Sequence, residues 1–319
     1  MIVKRAACLA ALVVLARCAT STAPELSRDV DQILQRHHRR TIAVAYVDLR
    51  DGTSFFHNER EAFHAASTMK VPVMLGIFEA VSRGALRLEQ PVRVRNEFAS
   101  IVDGSPYRLN PKDDSDDEMY GFVGREVPLQ SLVRHMIVRS SNLATNNVIE
   151  LIGAKQVMAL MQRIGANDIR VLRGVEDQKA FDAGMNNTTT AYDLMLIFRA
   201  LGESRPRASG LGPHREVMSE AWLSGDASQK MIDVLAAQEF NRGIPAGLPR
   251  GTRVAHKTGD ITRVAHDAGL VFAPDGSSYV LVVLTRGFNR LRDAEKVMAQ
   301  ISRAVWRGRN NLKPPASHN

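Results

Sequence analysis

The first residues that indicate chemistry are Ser67 and Lys70, a serine followed three residues later by a lysine. The apolar run that follows, Val71 to Phe78, predicts a buried helix, and at this spacing both side chains share one helix face. Backbone N–H groups at a helix start also favour a developing oxyanion. A buried lysine loses its proton more readily, because desolvation lowers its pKa, and it then activates a serine hydroxyl. The ordinary alternative is a helix cap followed by a surface lysine.

Two further polar groups lie later in the chain. Ser140 to Asn142 separates two segments with helical periodicity, and Lys257 to Gly259 follows a strand pattern that begins at Arg253. Taken singly, the first group is typical of an interhelical turn and the second of a strand end with a turn glycine. Their order changes this interpretation. Ser-x-x-Lys at a helix start, Ser-x-Asn between helices and Lys-Thr-Gly on a late strand form the signature set of class A β-lactamases and penicillin-binding proteins.

The sequence resembles the class A β-lactamases from about residue 27 to 307. The likeness extends to residues 102–106, 187–190, 244–249 and 254–259, which are similar to landmark segments of that family. The resemblance implies an α+β fold, in which both ends of the chain form one five-stranded antiparallel sheet flanked by helices, with an all-helical lobe. We expect residues 24–64 and 203–319 to form the sheet lobe and residues 65–202 to form the helical lobe. Apolar patterning predicts strands at 41–48, 253–257, 268–273 and 279–285 and helices at 129–138 and 188–201, the last opened by threonines suited to capping. Residues 204–213 are predicted to form a loop and residues 313–319 a loose tail.

The resemblance implies four catalytic residues. Ser67 would become acylated, Lys70 would accept or relay its proton, and Ser140 would pass a proton to the leaving nitrogen of the opened ring. Family enzymes carry the deacylating glutamate on a loop after the Ser-x-Asn helices, and Glu176 stands 36 residues after Ser140, which matches the family separation. Glu176 would therefore activate the hydrolytic water. The alternative is a solvated loop acid, with the adjacent Asp177 as the competing carboxylate.

The resemblance also implies the substrate-binding residues. Asn142 would form hydrogen bonds both to the substrate side-chain amide and to Lys70. Lys257 would supply positive potential, and Thr258 would bind the substrate carboxylate. Gly259 completes the Lys-Thr-Gly motif, and the backbone N–H groups of Ser67 and Asp260 would form the oxyanion hole. Loss of one such donor typically lowers the rate by about 10²–10³-fold.

The loop after Glu176 departs from the family pattern. Ala180 stands where an asparagine usually helps to hold the hydrolytic water, and the loop is shorter. Asn187 stands where an aspartate commonly closes a salt bridge to an arginine. These departures predict slow deacylation or a different arrangement of the water.

Two further departures concern the cleft. The strand that usually supplies an arginine for the β-lactam carboxylate has His266 and Asp267 instead, which leaves Arg263 and Arg286 as candidate anchors. His266 and Asp267 are interpreted as a structural pair or a substrate contact. The acidic residues 113–118 are interpreted as a solvated loop that shapes one side of the cleft, since their spacing does not fit an EF-hand calcium site.

Residues 1–23 are typical of an export signal. The basic residues Lys4 and Arg5 lie near its start, and an apolar core too short to span a membrane and a small-residue end follow. The stretch ending at Cys18 resembles a lipoprotein box, from which Arg17 departs, so a lipid anchor at Cys18 is the alternative to simple cleavage. Both cysteines, Cys8 and Cys18, lie in this segment, which predicts a mature chain without an internal disulfide. We expect a periplasmic or secreted protein.

Composition narrows the function class. The chain has 319 residues, 45% hydrophobic, enough for one large domain or two lobes, and three of its +8 formal charges lie in residues 1–23. No basic stripe with interleaved aromatics indicates nucleic-acid binding, and no cluster has zinc-ligand spacing, so we expect neither a nucleic-acid partner nor a metal or cofactor. A monomer acting on a small molecule is the expectation.

The sequence thus predicts an exported serine hydrolase that opens β-lactam rings through an acyl-enzyme on Ser67 and releases it with water activated by Glu176. A penicillin-binding-protein-like peptidase or esterase, acting on a related amide or ester, is one alternative. A penicillin-sensing module that remains acylated is the other. Glu176 discriminates among them, because a working base gives turnover.

Overall fold

The computed structural model describes residues 24–204 and 224–311. The helices are α1 (Pro24–Arg36), α2 (Lys70–Ser82), α3 (Leu129–Val138), α4 (Asn142–Ile152), α5 (Ala154–Ile164), α6 (Gln178–Asp182), α7 (Ala191–Ser204), α8 (Gly225–Ala236) and α9 (Leu291–Asn311). The strands are β1 (Thr41–Asp48), β2 (Ser54–His57), β3 (Phe63–His64), β4 (Pro91–Arg93), β5 (Phe98–Ala99), β6 (Pro106–Tyr107), β7 (Glu126–Pro128), β8 (Thr188–Thr189), β9 (Arg253–Ile261), β10 (Val264–Phe272) and β11 (Ser278–Arg286). Short 3₁₀ helices lie at Ala66–Met69, Pro111–Asp113, Asp117–Phe122 and Ile244–Gly247. Within the described ranges, no helix has the length and apolarity needed to cross a membrane.

Some predicted features lie outside the described residues. These are the export signal with Cys8 and Cys18, all but the first residue of the predicted loop over 204–213, and the C-terminal tail over 313–319. The division into a sheet lobe and a helical lobe at residues 64 and 203 stays a prediction.

The central sheet has five strands in the order β2-β1-β11-β10-β9, and every neighbouring pair is antiparallel. Strand β1 pairs with β11 from Thr41 opposite Arg286 to Asp48 opposite Tyr279, so the two ends of the chain meet in one sheet. Side chains alternate between the two faces of a strand, and in β1 the residues on both faces are almost all apolar and buried. One face packs in the core cluster with α2 and α7, and the other packs with α1 and α9. The predicted five-stranded antiparallel sheet with flanking helices is confirmed.

Helix α2 is the centre of the helical region. Every residue from Lys70 to Ala80 is buried, because α3, α4, α5 and α8 all pack against this helix. A helix surrounded in this way needs apolar residues all round, which the run after Lys70 supplies. The serine predicted for its first turn lies instead in the 3₁₀ helix Ala66–Met69, which leads directly into α2.

Two sequence-based boundaries differ from the structure. The strands predicted at Arg253–Lys257, Ala268–Ala273 and Tyr279–Thr285 are each longer, since β9 and β10 form a continuous hairpin whose turn is Thr262–Arg263. The Lys-Thr-Gly group and Asp260 therefore lie inside β9. The helix predicted from Thr188 begins at Ala191, because Thr188–Thr189 pairs with β3 as β8. Thr190 supplies the predicted cap, since its hydroxyl oxygen accepts the N–H of Asp193 at 3.0 Å.

Candidate active site

Lys70 forms the buried floor of the candidate site. Its side chain is 0% exposed, and its Nζ donates to the Ser140 carbonyl at 2.6 Å, to Asn142 Oδ1 at 2.8 Å and to Ser140 Oγ at 3.2 Å. Burial lowers the pKa of Lys70 to about 7, although three nearby carboxylates act in the opposite direction. An amine with this pKa is substantially neutral near pH 7, so it is able to accept a proton from a hydroxyl group.

The Ser140 hydroxyl lies between two buried lysines. Lys257 Nζ donates to Ser140 Oγ at 3.0 Å, on the opposite side from Lys70, and also to the Thr258 carbonyl at 2.8 Å. Burial lowers the pKa of Lys257 well below its ordinary value, and the neighbouring Lys70 lowers it further. Ser140 has a φ of +58°, a left-handed conformation that non-glycine residues rarely adopt. The arrangement provides a route for a proton from either amine to the hydroxyl group.

Ser67 lies where β9 approaches the 3₁₀ helix most closely. A Cβ atom added to Gly259 would lie 2.7 Å from the backbone nitrogen of Ser67 and 2.9 Å from that of Thr68. Only glycine therefore allows this approach. The backbone N–H of Ser67 and that of Asp260, the next residue of β9, are the predicted oxyanion donors, and such a pair requires this contact between the two segments.

The partly exposed Ser67 lines two neighbouring cavities. The larger has a volume of about 680 Å³ and is lined by Ser140, Thr258 and Gly259 among others. The smaller has a volume of about 450 Å³ and contains Glu176 in its wall. Ser67, Asn142 and Asp260 border both cavities. The arrangement separates a space of substrate size from a space on the Glu176 side of the serine.

Glu176 and Ser67 both line the smaller cavity. Asn142 Nδ2 donates to Glu176 Oε1 at 3.0 Å, while the Oδ1 of the same amide accepts from Lys70. Desolvation raises the pKa of the Glu176 carboxyl, and the neighbouring acid Asp113 raises it further. Glu176 has a φ of +61°, so the loop turns sharply at this residue. Asn142 therefore connects the lysine and the glutamate directly.

Asp177, the competing carboxylate in the sequence, is fully engaged in holding the loop. It is 2% exposed, and its oxygens accept from the Ser100 hydroxyl and the Ile101 N–H at 2.9 Å and from the Ala180 N–H at 3.1 Å. These bonds lower the pKa of Asp177, although its burial acts in the opposite direction. A buried carboxylate with these partners is a poor base for water, which favours Glu176.

A neutral amide takes the place of the loop salt bridge expected in the family. Asn187 Oδ1 accepts from the backbone N–H groups of Leu172 and Arg173 at 2.8 and 3.2 Å, and Asn187 Nδ2 donates to the Arg173 carbonyl at 3.0 Å. The Arg173 guanidinium donates to the Met185 and Gly174 carbonyls and to Asn186 Oδ1. The loop is thus held by backbone hydrogen bonds. Ala180 is buried and presents only a methyl group, so the side-chain partner for water is missing.

Neither of the candidate carboxylate anchors, Arg263 and Arg286, lines the larger cavity. Arg286 donates to Glu61 at 2.8 Å and lies over the Phe63 ring, and Arg263 lines a separate cavity beyond the β9–β10 turn. Arg242, which the sequence analysis missed, lines the larger cavity together with Thr258. Its only signal in the sequence was its place just before the landmark segment 244–249.

His266 and Asp267 do not form a pair with each other. Asp267 Oδ1 lies 2.8 Å from His256 Nδ1, and its other oxygen accepts the Ile244 N–H at 2.7 Å. His266 Nε2 lies 2.9 Å from the His64 carbonyl oxygen. Alternate residues of a strand point to opposite faces of a sheet, so adjacent residues have different partners. Asp267 is buried among structural partners, whereas His266 also lines the larger cavity, so its role as a substrate contact stays a prediction.

The acidic segment 113–118 is solvated only in part, since residues 113, 115, 117 and 118 are exposed, whereas Asp114 is half-buried and Asp116 is buried. Asp116 is 0% exposed, and its carboxylate lies 3.0 Å from the Arg139 guanidinium and 2.6 Å from His135 Nδ1. Asp114 binds the N-terminus of α4, and Asp113 and Ser115 line the larger cavity. Asp114 and Asp116 face inward because basic groups at the end of α3 and backbone N–H groups at the start of α4 lie beside them.

Comparison with known proteins identifies the family. Residues 25–308 match the Beta-lactamase enzyme family. A β-lactamase of Bacteroides uniformis is 25% identical over 293 residues, which cover 88% of this chain and 90% of that protein. The extended-spectrum β-lactamase PER-1 of Pseudomonas aeruginosa is 22% identical over 298 residues, covering 90% of this chain and 88% of that protein.

Solved structures show the same fold. PBP-A has a TM-score of 0.74 at 24% identity, covering 92% of this chain and 98% of that chain. A β-lactamase from Sphaerobacter thermophilus has a TM-score of 0.72 at 24% identity, covering 91% of this chain and 99% of that chain. The predicted class A β-lactamase and penicillin-binding-protein fold is confirmed. Since the family match extends over most of the sequence, the chain belongs to the Beta-lactamase enzyme family.

Proposed function

We propose that this protein is a serine β-lactamase, in which Ser67 forms the acyl-enzyme and Glu176 activates the water that releases it. The observation that carries the proposal is the connection of the partly buried Ser140 to the buried Lys70 and Lys257, through distances of 2.6–3.2 Å, at the cavity whose wall contains both Ser140 and Ser67. This set provides a base, a proton donor and positive potential at one serine.

Acylation begins when neutral Lys70 accepts the proton of Ser67. The Ser67 oxygen attacks the ring carbonyl, and the backbone N–H groups of Ser67 and Asp260 bind the resulting oxyanion. The carbon–nitrogen bond then breaks. Ser140 donates its hydroxyl proton to the leaving nitrogen and recovers a proton from Lys70, whose Nζ lies 3.2 Å from Ser140 Oγ.

Deacylation uses the opposite side of the serine. The Glu176 carboxylate takes a proton from water, and the hydroxide attacks the ester carbon. The ester bond to Ser67 breaks, and the proton returns to the serine oxygen. Asn142 supports this step, because its amide bonds Glu176 and Lys70 at once.

The larger cavity suits the substrate. Thr258 and Arg242 stand where they are able to bind an anionic carboxylate, and Asn142 offers its amide to the substrate side chain. PBP-A matches this chain with a TM-score of 0.74, and a variant of PBP-A has been solved as an acyl-enzyme complex with penicillin G. That precedent supports a β-lactam as the acylating substrate.

The second candidate function is a slowly deacylating penicillin sensor or a penicillin-binding-protein-like peptidase. Two observations favour it: the methyl group of Ala180 offers no hydrogen bond to a hydrolytic water, and Glu176 has Asn142 as its one side-chain hydrogen-bond partner in the described chain. The acylation half of the mechanism is the same in both candidates.

One experiment separates the candidates. The purified protein is mixed with a chromogenic cephalosporin and with a fluorescent penicillin, and intact mass is followed over time. Sustained colour with little adduct supports the β-lactamase, and a stoichiometric long-lived adduct supports the sensor. Ser67→Ala should abolish both signals, whereas Ser82→Ala, at the far end of α2, should leave them unchanged. No reaction of the wild-type protein with either compound would contradict both candidates.

Export is a separate proposal. We propose that residues 1–23 direct the chain out of the cytoplasm, either by cleavage or with a lipid on Cys18, and that the mature protein is a monomer. Fractionation of cells that produce wild-type and Cys18→Ala proteins distinguishes the two routes, because only a lipid anchor makes membrane association depend on Cys18. Retention of the full-length chain in the cytoplasm would contradict export.

A further inference from the structure

The carboxylate of Asp114 binds the first turn of helix α4. Its two oxygens accept the Asn142 N–H, each at 3.0 Å, and Oδ2 also accepts the Leu143 N–H at 2.9 Å. The Tyr120 hydroxyl donates to the same oxygen at 3.1 Å and holds the carboxylate in place. Asn142 is the amide that lies between Lys70 and Glu176, so Asp114 contacts the backbone of a residue at the centre of the site.

The cap on α4 is shared between two segments of the chain. Ser141 Oγ accepts the Ala144 N–H at 3.2 Å, and the Ser141 carbonyl accepts the Thr145 N–H at 3.2 Å. The first N–H groups of a helix have no partner within the helix, so the remaining two depend on Asp114. A negative charge at this end of a helix is also favourable.

Ser115 and Asp116 contact Arg139 and Ser140, the two residues that precede Ser141. The Ser115 hydroxyl lies 2.7 Å from the Arg139 carbonyl and 3.2 Å from the Ser140 carbonyl, which also accepts from Lys70. Buried Asp116 fixes the segment to the Arg139 guanidinium at 3.0 Å. The left-handed backbone of Ser140 is thus held from residues 114–116.

We infer that Asp114 is a positioning residue, which fixes the first turn of α4 and thereby holds Asn142 between Lys70 and Glu176. The kinetic consequence rests on the proposed function. Asp114 does not line either cavity that borders Ser67, so it acts through Asn142 and through its charge. No sequence motif indicates it, because it is 28 residues from Asn142 along the chain.

The charge of Asp114 reaches both proton-transfer groups. Burial lowers the pKa of Lys70, and the charge of Asp114 acts in the opposite direction, as do the charges of Glu176 and Asp260. It also adds to desolvation and to Asp113 in raising the pKa of Glu176, against Lys70 and Arg173. Removing the charge should therefore shift both titrations to lower pH. A residue that only stabilised the fold would leave them where they are.

The test compares Asp114→Asn and Asp114→Ala with the wild type. Asp114→Asn keeps one acceptor oxygen and removes the charge, and we expect kcat/KM to fall about tenfold. Asp114→Ala removes the whole cap, and we expect a fall of about 10²-fold, mostly in kcat, since a displacement near 1 Å in a reacting constellation has effects of this size. Asp117→Asn is the matched control, because it removes a nearby exposed acid that is not among the charges acting on Lys70 or Glu176.

The pH dependence gives the decisive readout. The ascending limb of acylation by fluorescent penicillin should lie at lower pH in Asp114→Asn than in the wild type and in Asp117→Asn. The Lys70 titration, followed by NMR of ¹³C-labelled lysine and assigned with Lys70→Arg, should shift in the same direction. An unchanged rate with an unchanged titration in Asp114→Asn would overturn the inference. The NMR arm requires no turnover, so failure of the proposed function is distinguished from failure of this inference.

Discussion

The two sides of Ser67 are built differently. On the acylation side, Lys70 begins the buried helix α2, Ser140 and Asn142 flank the start of α4, and Lys257 lies inside the central sheet. Three rigid elements therefore meet within hydrogen-bond distance. Side chains placed on packed helices and strands keep their geometry well, so this side is preorganised.

On the deacylation side, Glu176 lies on a loop. The loop is held by neutral amides, with Asn146 Oδ1 accepting the Val175 N–H at 2.7 Å and Asn187 bridging the backbone of Arg173. Glu176 itself contacts Asn142 and stands exposed at the cavity. Apart from Asn142, which contacts both Lys70 and Glu176, the two rates depend on separate structural supports, so substitutions outside Asn142 and its Asp114 cap should affect them separately.

The largest effect is expected on the acylation side. Lys70→Ala removes the buried amine between Ser140 and Asn142, and we expect the acylation rate to fall by about 10⁴-fold, the upper range for loss of a general base. Stopped-flow acylation with fluorescent penicillin measures it. Lys155→Ala, on the exposed face of α5, should react like the wild type. A loss below tenfold would show that Lys70 is not the base.

Glu176→Gln should affect the other side. We expect deacylation to slow by about 10³-fold while acylation changes less than tenfold, because the amide cannot accept a proton from water. Intact mass should then show a stable adduct on Ser67. Normal turnover by Glu176→Gln would contradict the assignment of the base.

Two glycine substitutions separate the sides by backbone position. Gly259→Ala places a Cβ 2.7 Å from the Ser67 nitrogen, and Gly174→Ala places one in a clash with Asn146 Oδ1. We expect the first to reduce acylation by about 10²-fold and the second to reduce deacylation by about tenfold, through displacement of the reacting groups. Single-turnover kinetics separates these rates. Equal effects of both substitutions on both rates would remove the proposed separation.

The pH dependence offers a sharper comparison. Lys70 must be neutral to accept a proton, and since burial lowers its pKa to about 7, acylation should rise with pH through about 7. Glu176 must be ionised to act as a base, and desolvation raises its pKa, so the deacylation limb should lie above the pH range of an exposed carboxyl group. Rates of both steps between pH 5 and 9 locate the two limbs separately. Coincident limbs would indicate one shared group.

The smallest effect is expected at the outer end of the larger cavity. Arg242→Ala removes a cation from the wall that contains Thr258, and we expect KM for an anionic β-lactam to rise several-fold, with kcat nearly unchanged. Arg263→Ala, in the β9–β10 turn, is the matched control. If Arg263→Ala raises KM instead, the sequence-based candidate is the correct anchor.

Local patterns predicted most of the elements. The bounds of β1 and α3 agree with their predictions, because apolar residues fill β1 and recur at helical spacing through α3. The strand β9 was predicted too short, since polar residues at Thr258 and Asp260 interrupt its pattern although the backbone pairing continues. Periodicity detects the side chains that face a core, and backbone pairing does not depend on it.

The sequence by itself determined the family, the fold and the residues that surround Ser67. The spacing of Ser67 and Lys70 and the Lys257 to Gly259 group are local patterns, and a local pattern is readable without coordinates. The tertiary structure decided that Asp177 holds the loop, that Arg242 lines the cavity and that Asp114 caps α4. Those roles depend on contacts between segments far apart in the chain, and only the packed fold fixes which carboxylate meets a backbone N–H and which one faces water.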